Sequence, residues 1–249
     1  MKKIGIYLVY GLSFLLLMAA FALGTIAFTE LGFQLVFVPG YLFTFSSIYL
    51  IFILHELGHA FCGYLTGYRL VALGLGNFLL TKKAGKFRLS RTATLKNVGA
   101  QYIGLKEDES DQRMILMLSG GLLVHLTLLI VSILFGVLTQ SWYFAGTWIC
   151  LNLSFILANA LPFGITDGAK ILELIRHPEN VPYAYLGLRH SAQTLLVPED
   201  YDLKDFVRPV PEEAQGGFVE GVLALQGEVY ILEGNREAAK EQFQSLLER

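Results

Sequence analysis

Residues Ile51–Phe61 read IFILHELGHAF, an apolar run interrupted by His55, Glu56 and His59. On a helix of 3.6 residues per turn, His55 and His59 fall on one face, one turn apart. Two imidazoles at that spacing can grip one Zn2+, and Glu56 between them can reach a water on the metal. The pentapeptide alone recurs by chance, and its setting sharpens it. Ionisable groups are expensive in hydrocarbon, so a cluster of them inside an otherwise apolar segment calls for a functional account.

The rest of the chain is of the same character. Its 249 residues are 54% hydrophobic and only 16% charged, with a mean hydropathy of +0.52. A soluble domain carries about 25% charged residues, so this chain is a membrane protein or has a large membrane part. A net charge of −2 argues against a nucleic-acid partner. The two cysteines, Cys62 and Cys150, both lie in apolar stretches, which excludes a disulfide framework. Cys62 shares the histidine face and reads as a packed thiol in preference to a fourth ligand.

Upstream of the motif, Lys2 and Lys3 precede an uncharged run from Ile4 to Phe28. That is long enough to cross a ~30 Å hydrocarbon layer, which needs ~20 residues. A retained anchor is favoured over a cleaved signal peptide, whose mark would be Ala20-Phe21-Ala22. Pro39-Gly40 punctuates the next run. A second helix is expected over Tyr41–Thr66, with Gly67 as its stop.

Downstream, Tyr68–Arg113 changes character. Arg69, Lys82, Lys83, Lys86, Arg88, Arg91, Lys96, Lys106 and Arg113 make it basic, and recurrent glycines separate short apolar runs. Leu70–Leu75 and Phe78–Leu80, with Lys83-Ala84-Gly85-Lys86 as turn chemistry, predict a small antiparallel sheet or hairpins. Glu107–Asp111 reads as a solvated acidic turn. A third span covers about Met114–Thr139, where Gly120-Gly121 suits close helix packing. His125 within it reads as an interhelical hydrogen bond in preference to a role near the metal.

A fourth span covers about Trp142–Leu161, with Trp142, Tyr143 and Trp148 suited to a membrane–water interface. Asn152 and Asn159 share a face. Pro162 and Gly164 break the helix, and Asp167-Gly168 follows. Asp167 either caps a helix through Ile171–Arg176 or serves the metal. From about Ile171 the chain is polar enough for soluble helices. Leu223–Phe243 resembles one tetratricopeptide unit, with Leu223, Gly227, Tyr230, Gly234, Ala239 and Phe243 in place. A single hairpin packed on its own domain is at least as good a reading as a peptide-binding platform.

The expected fold is an α-helical membrane protein with about four transmembrane helices. A small β-hairpin or sheet insertion follows the second, and a soluble helical region ends the chain. Residues 1–30 form the first helix, 31–170 a core with the insertion at about 68–113, and 171–249 the helical region. The positive-inside rule puts Lys2, Lys3 and the basic insertion in the cytoplasm, hence both termini there, in a multi-pass protein of the cell membrane. His55 and His59 then lie at the cytoplasmic end of the second span and Asp167 at that of the fourth.

A catalytic zinc site wants three protein ligands and one position for water. His55 and His59 supply two, and Asp167 is the best third candidate by depth. Glu56 is then the general base, and Asn159 is placed to hydrogen-bond a substrate backbone or a developing oxyanion. A helical substrate hides its amides and must unwind. A strand from Leu70–Leu75 or Val98–Ile103 is the candidate to hold it open by edge pairing.

These residues resemble the site-2 protease family of intramembrane zinc metalloproteases over about Tyr41–Lys170. His55-Glu56-Leu57-Gly58-His59 is similar to the family's first motif. Asn159-Ala-Leu-Pro162-Phe-Gly-Ile-Thr-Asp167-Gly168 is similar to its second. Asn97–Ile103 loosely resembles its glycine-containing strand. The resemblance implies zinc on His55, His59 and Asp167, Glu56 as base, and Asn159 beside the substrate. The family's third span often carries Gly-Pro-x-x-Asn, where this chain has Gly121-Leu-Leu-Val-His125. No insert large enough for a PDZ domain separates the third and fourth spans, so the C-terminal helices are left to select substrates or regulate. The expectation is an endopeptidase acting on a transmembrane or signal-peptide-like segment, with the bilayer and a cytoplasmic partner of the C-terminal helices as further contacts. The rivals are a catalytically silent membrane scaffold and a metal-dependent transporter. The intact Glu56 weighs against the first, and the lack of inverted repeats against the second.

Overall fold

The computed structural model describes residues 2–32, 37–75, 78–83, 85–91, 99–103, 113–162, 164, 166–196, 203–206, 208–211 and 213–248. The predicted acidic turn Glu107–Asp111, and Asn97 and Val98 of the predicted strand, lie outside them. The chain forms two compact units, Met1–His59 with Ser119–Ala169 and Ala60–Leu118 with Lys170–Arg249.

The first unit is built from α1 (Lys2–Glu30), α2 (Phe37–Leu65, as far as His59), α3 (Arg113–Thr139, from Ser119) and α4 (Trp142–Asn159). Several of its polar groups are inside: Ser13, Thr44, His55, His125 and Asn152 are buried, while Leu8, Phe14, Leu42, Phe45, Ile130 and Leu138 point outward. Lipid-facing helices are apolar outside and satisfy polar side chains against one another. The hydroxyls of Ser13 and Ser154, 2.8 Å apart, tie α1 to α4 in this way. Among the described residues three helices, Gly5–Glu30, Val38–Leu65 and Arg113–Thr139, are long and apolar enough to cross a membrane. The 18-residue α4 is about 27 Å long and is diluted by two asparagines.

α2 begins earlier than Pro39-Gly40 suggested. Pro39 lies in its first turn, where an N–H would have no intrahelical partner, so the ring is tolerated. Gly40 serves close approach instead: a Cβ there would lie 2.7 Å from Thr25 Cα of α1. Ala20, part of the suspected cleavage site, is completely buried with Ile51 and Leu151. The α3–α4 turn is closed by Gln140 at φ 58. Its side-chain N–H donates to the Val137 carbonyl at 2.7 Å, satisfying an acceptor at the end of α3.

The second unit holds four antiparallel strands, β1 (Arg69–Leu75), β2 (Phe78–Lys83), β3 (Lys86–Arg91) and β4 (Gly99–Ile103), in the order β3-β2-β1-β4. This bears out the predicted sheet and corrects one expectation. β1 pairs on both sides, Leu73 with Leu80 and with Ala100, so Leu70–Leu75 offers no edge. Among the described residues β4 is an edge strand. Val71, Ala72 and Leu79 pack on Ala192, which lies in α6 (Val181–Leu196). Tyr68, Met114 and Met117 share a core with Leu174, Val181 and Ala184. The insertion and the helices after Lys170 therefore bury their apolar faces together.

α2 ends in a Schellman motif: Gly67 takes φ 91 and Tyr68 N–H donates to the Gly63 carbonyl at 2.8 Å. The tetratricopeptide-like stretch forms the hairpin α7 (Gly217–Leu232) and α8 (Arg236–Glu248). Gly227 makes room for the Phe243 ring, which a Cβ would approach to 2.6 Å. Val219 and Leu223 of α7 pack with Tyr183 of α6. This favours the reading of one hairpin docked on its own unit.

α7 has no capping side chain at Gly216. The cap comes from Glu173 of α5 (Asp167–Arg176). Its carboxylate accepts N–H groups of Gly217 at 2.8 Å and Phe218 at 3.1 Å, and the Asn180 amide at 3.0 Å. Caps contribute roughly 1 kcal/mol, up to about 2 when charge-assisted. Glu173→Ala is expected to lower the apparent unfolding midpoint of the full chain in detergent by about 2–8 °C. An unchanged midpoint would mean that water caps α7 equally well.

Candidate metal centre

α2 carries His55 and His59 one turn apart, both buried. Three glycines make the space around them. A Cβ on Gly58 of α2 would run into the Gly120 carbonyl of α3, and a Cβ on Gly120 into Gly58, so the two backbones touch at this crossing. Contact this close is available only to glycine. One residue on, Gly121 leaves the volume that the His55 ring fills: a Cβ there would lie 2.5 Å from His55 Nδ1 and 2.7 Å from Nε2.

Asp167 arrives from the chain break after α4. The alternative in which it caps α5 is corrected. Thr166 is the cap, its hydroxyl accepting the Ala169 N–H at 3.2 Å and donating to the Leu161 carbonyl. Asp167 is the first helical residue, and its side chain turns to the histidines. Gly168 brings α5 against the end of α4, where a Cβ would lie 2.9 Å from Ala160 Cα. The Asp-Gly pair thus has a steric basis: the glycine permits the approach that delivers the aspartate.

Three atoms converge. His55 Nε2 and His59 Nε2 are 3.2 Å apart, and each lies 3.2 Å from Asp167 Oδ2. Asp167 Oδ2 is buried and makes no hydrogen bond of acceptable geometry. A buried carboxylate oxygen left so is costly. The triangle has a simple account. Donors on a tetrahedral ion with bonds of ~2.0–2.1 Å are ~3.3–3.4 Å apart, close to the edges seen. Two imidazoles and a carboxylate suit a divalent transition metal. Among the described residues these three form the cluster able to hold a metal ion, and Cys62, a buried free thiol, is not a member.

His55 is held from behind. Its Nδ1 is 3.0 Å from His125 Nε2, and His125 Nδ1 is 3.0 Å from Asn152 Oδ1. Phe155 stacks on the His125 ring at 5.1 Å between centroids. His125 is therefore an interhelical hydrogen-bond partner, as expected, and that partner is a candidate ligand. The sequence pattern alone gives Asn152 only a face shared with Asn159. Its signal was available: an amide in an apolar helix must find a partner in a neighbouring one. Asn159, the last residue of α4, is half-buried and donates its amide to the Phe155 carbonyl at 3.1 Å. Glu56 is half-buried beside His55 on α2.

No curated protein and no solved structure matches this chain. Residues 43–142 match the model of Peptidase family M50, so that stretch is similar to the site-2 protease family.

Proposed function

We propose that this protein is an intramembrane zinc endopeptidase that hydrolyses a peptide bond in or near a transmembrane or signal-peptide-like segment. The observation that carries the reading is the triangle of His55 Nε2, His59 Nε2 and Asp167 Oδ2, with Glu56 adjoining it on α2. His55, His59 and Asp167 would hold zinc, which would lower the pKa of a bound water towards neutrality and polarise a carbonyl. Glu56 would take the proton from the attacking water and pass it to the leaving amine. Asn159 donates a hydrogen bond to the substrate backbone or the developing oxyanion. Burial of the cluster keeps bulk water from competing.

In this reading α4 is a fourth span and both termini are cytoplasmic, as the distribution of Lys and Arg favours. Among the described residues β4 has a neighbouring strand on one side only, which leaves its other edge to an extended peptide. The helices after Lys170 take a cytoplasmic partner or regulate access.

The test is cleavage of a transmembrane-segment substrate by the purified full chain in detergent, with bound metal quantified. The expected result is about one zinc per chain, with activity lost on chelation and restored by added zinc. Absence of metal in the wild type would remove the reading. Zinc without cleavage of any membrane-segment substrate would replace it with the silent scaffold.

A further inference from the structure

His125 and Asn152 are among the most completely buried polar side chains of the chain, and the proposed chemistry does not use them. Their hydrogen bonds run in one direction. The Asn152 amide nitrogen lies 2.8 Å from the Trp148 carbonyl. A carbonyl only accepts, so the nitrogen must face it. Asn152 Oδ1 is then turned to His125 Nδ1 at 3.0 Å. Oδ1 also only accepts, so Nδ1 of His125 carries the proton. With one proton on the ring, His125 Nε2 is a bare acceptor. It faces His55 Nδ1 at 3.0 Å, which must donate. His55 Nε2 is left with its lone pair, aimed into the triangle with His59 and Asp167.

We infer that His125 and Asn152 are positioning residues that fix the tautomer of His55, so that Nε2 meets the metal as a ready ligand. The inference rests on the metal-centre reading of His55, His59 and Asp167. Its physical need is specific. His55 Nε2 stands 3.2 Å from a carboxylate oxygen, and an imidazole in that position tends to protonate Nε2 and donate to it. That tautomer would cover the metal position with a hydrogen. It would also set two bare nitrogens, His55 Nδ1 and His125 Nε2, against each other in a buried site, which is unfavourable. The relay is anchored at a backbone carbonyl, which cannot reverse its polarity. Packing holds the rings in place: Phe155 stacks on His125, and His55 fills the space beside Gly121. Partners behind a ligating histidine characteristically set its tautomer and orientation. A bond that only joined α3 to α4 would have no stake in where the proton sits.

The experiment uses zinc-loaded full chain in detergent with 15N-labelled histidine, and zinc affinity measured by chelator competition. The expected spectrum shows His125 protonated on Nδ1 and bare on Nε2. His125→Leu and Asn152→Leu are expected to weaken zinc binding by about 10–100-fold, as loss of such partners does. His125→Gln is expected to recover most of the loss, because its Oε1 can replace the bare nitrogen. A proton on His125 Nε2, alone or with one on Nδ1, overturns the inference without reference to any variant. So does an undiminished zinc affinity in His125→Leu, or a His125→Gln variant no better than His125→Leu. Cleavage is followed in parallel. A wild type that binds zinc and cleaves nothing removes the peptidase and leaves the relay standing. A wild type that cleaves, with unaltered zinc affinity in His125→Leu, does the reverse.

Discussion

Glu56→Gln is expected to reduce cleavage of a transmembrane-segment substrate by ~10²–10⁴-fold, the range for loss of a positioned general base, while the purified protein keeps its zinc. The substitution conserves shape and removes only the group that can take a proton. Glu56 contributes no atom to the triangle of His55, His59 and Asp167, so metal content should not follow activity. It is half-buried on α2 between the two histidines, close enough in the chain to serve a water at the open position. The measurement pairs initial rates with zinc per chain, wild type against variant, at one substrate concentration and again at saturation. A variant that loses zinc together with activity would make Glu56 a ligand and require a different base. A variant that cleaves at the wild-type rate would place the base elsewhere. His59→Ala belongs beside it as a contrast, since there metal and activity should fall together.

What could be read along the chain divides by distance. Apolar runs long enough to span a bilayer became α1, α2 and α3 within a few residues of their expected bounds, because helix formation in lipid is decided locally. Ile51–Phe61 declared two candidate ligands, because i and i+4 are neighbours on any helix. The antiparallel sheet was legible from Gly85 and its flanking strands, but the strand order was not. β4 pairs with β1 and not with β3, so the strand expected at an edge is interior. Asp167 was legible as a ligand only by depth and resemblance. That Thr166 caps α5 and frees it depends on a break at Leu161–Pro162 whose geometry no periodicity encodes. The family match stops at residue 142, so it does not reach Asp167, which the structure brings to the histidines by geometry. That Asn152 needs a partner is legible in its apolar helix, but not that the partner is His125 on another helix.

Gly121→Ala is expected to cost the most for a single methyl group. The added carbon would fall on the His55 imidazole, with all three nearest atoms, Cε1, Nδ1 and Nε2, inside contact distance. The ring cannot stay. Nor can α3 move back easily, since the Gly58–Gly120 crossing fixes the helix one residue away by backbone contact. In another chain a Gly-to-Ala change inside a helix would stabilise it by roughly 0.5–1 kcal/mol, so propensity predicts the opposite sign. Steric displacement of a ligand should win. Zinc affinity is expected to fall by more than ~100-fold, beyond the loss typical of an outer partner, and cleavage should fall with it. Gly11→Ala is the control, because a Cβ there meets nothing within 4 Å and should leave zinc binding unchanged. Helical content by circular dichroism separates a displaced ring from a collapsed fold. If Gly121→Ala binds zinc as tightly as the wild type, the His55 ring does not occupy that space, and the triangle, the relay behind it and the glycine crossing lose their common support.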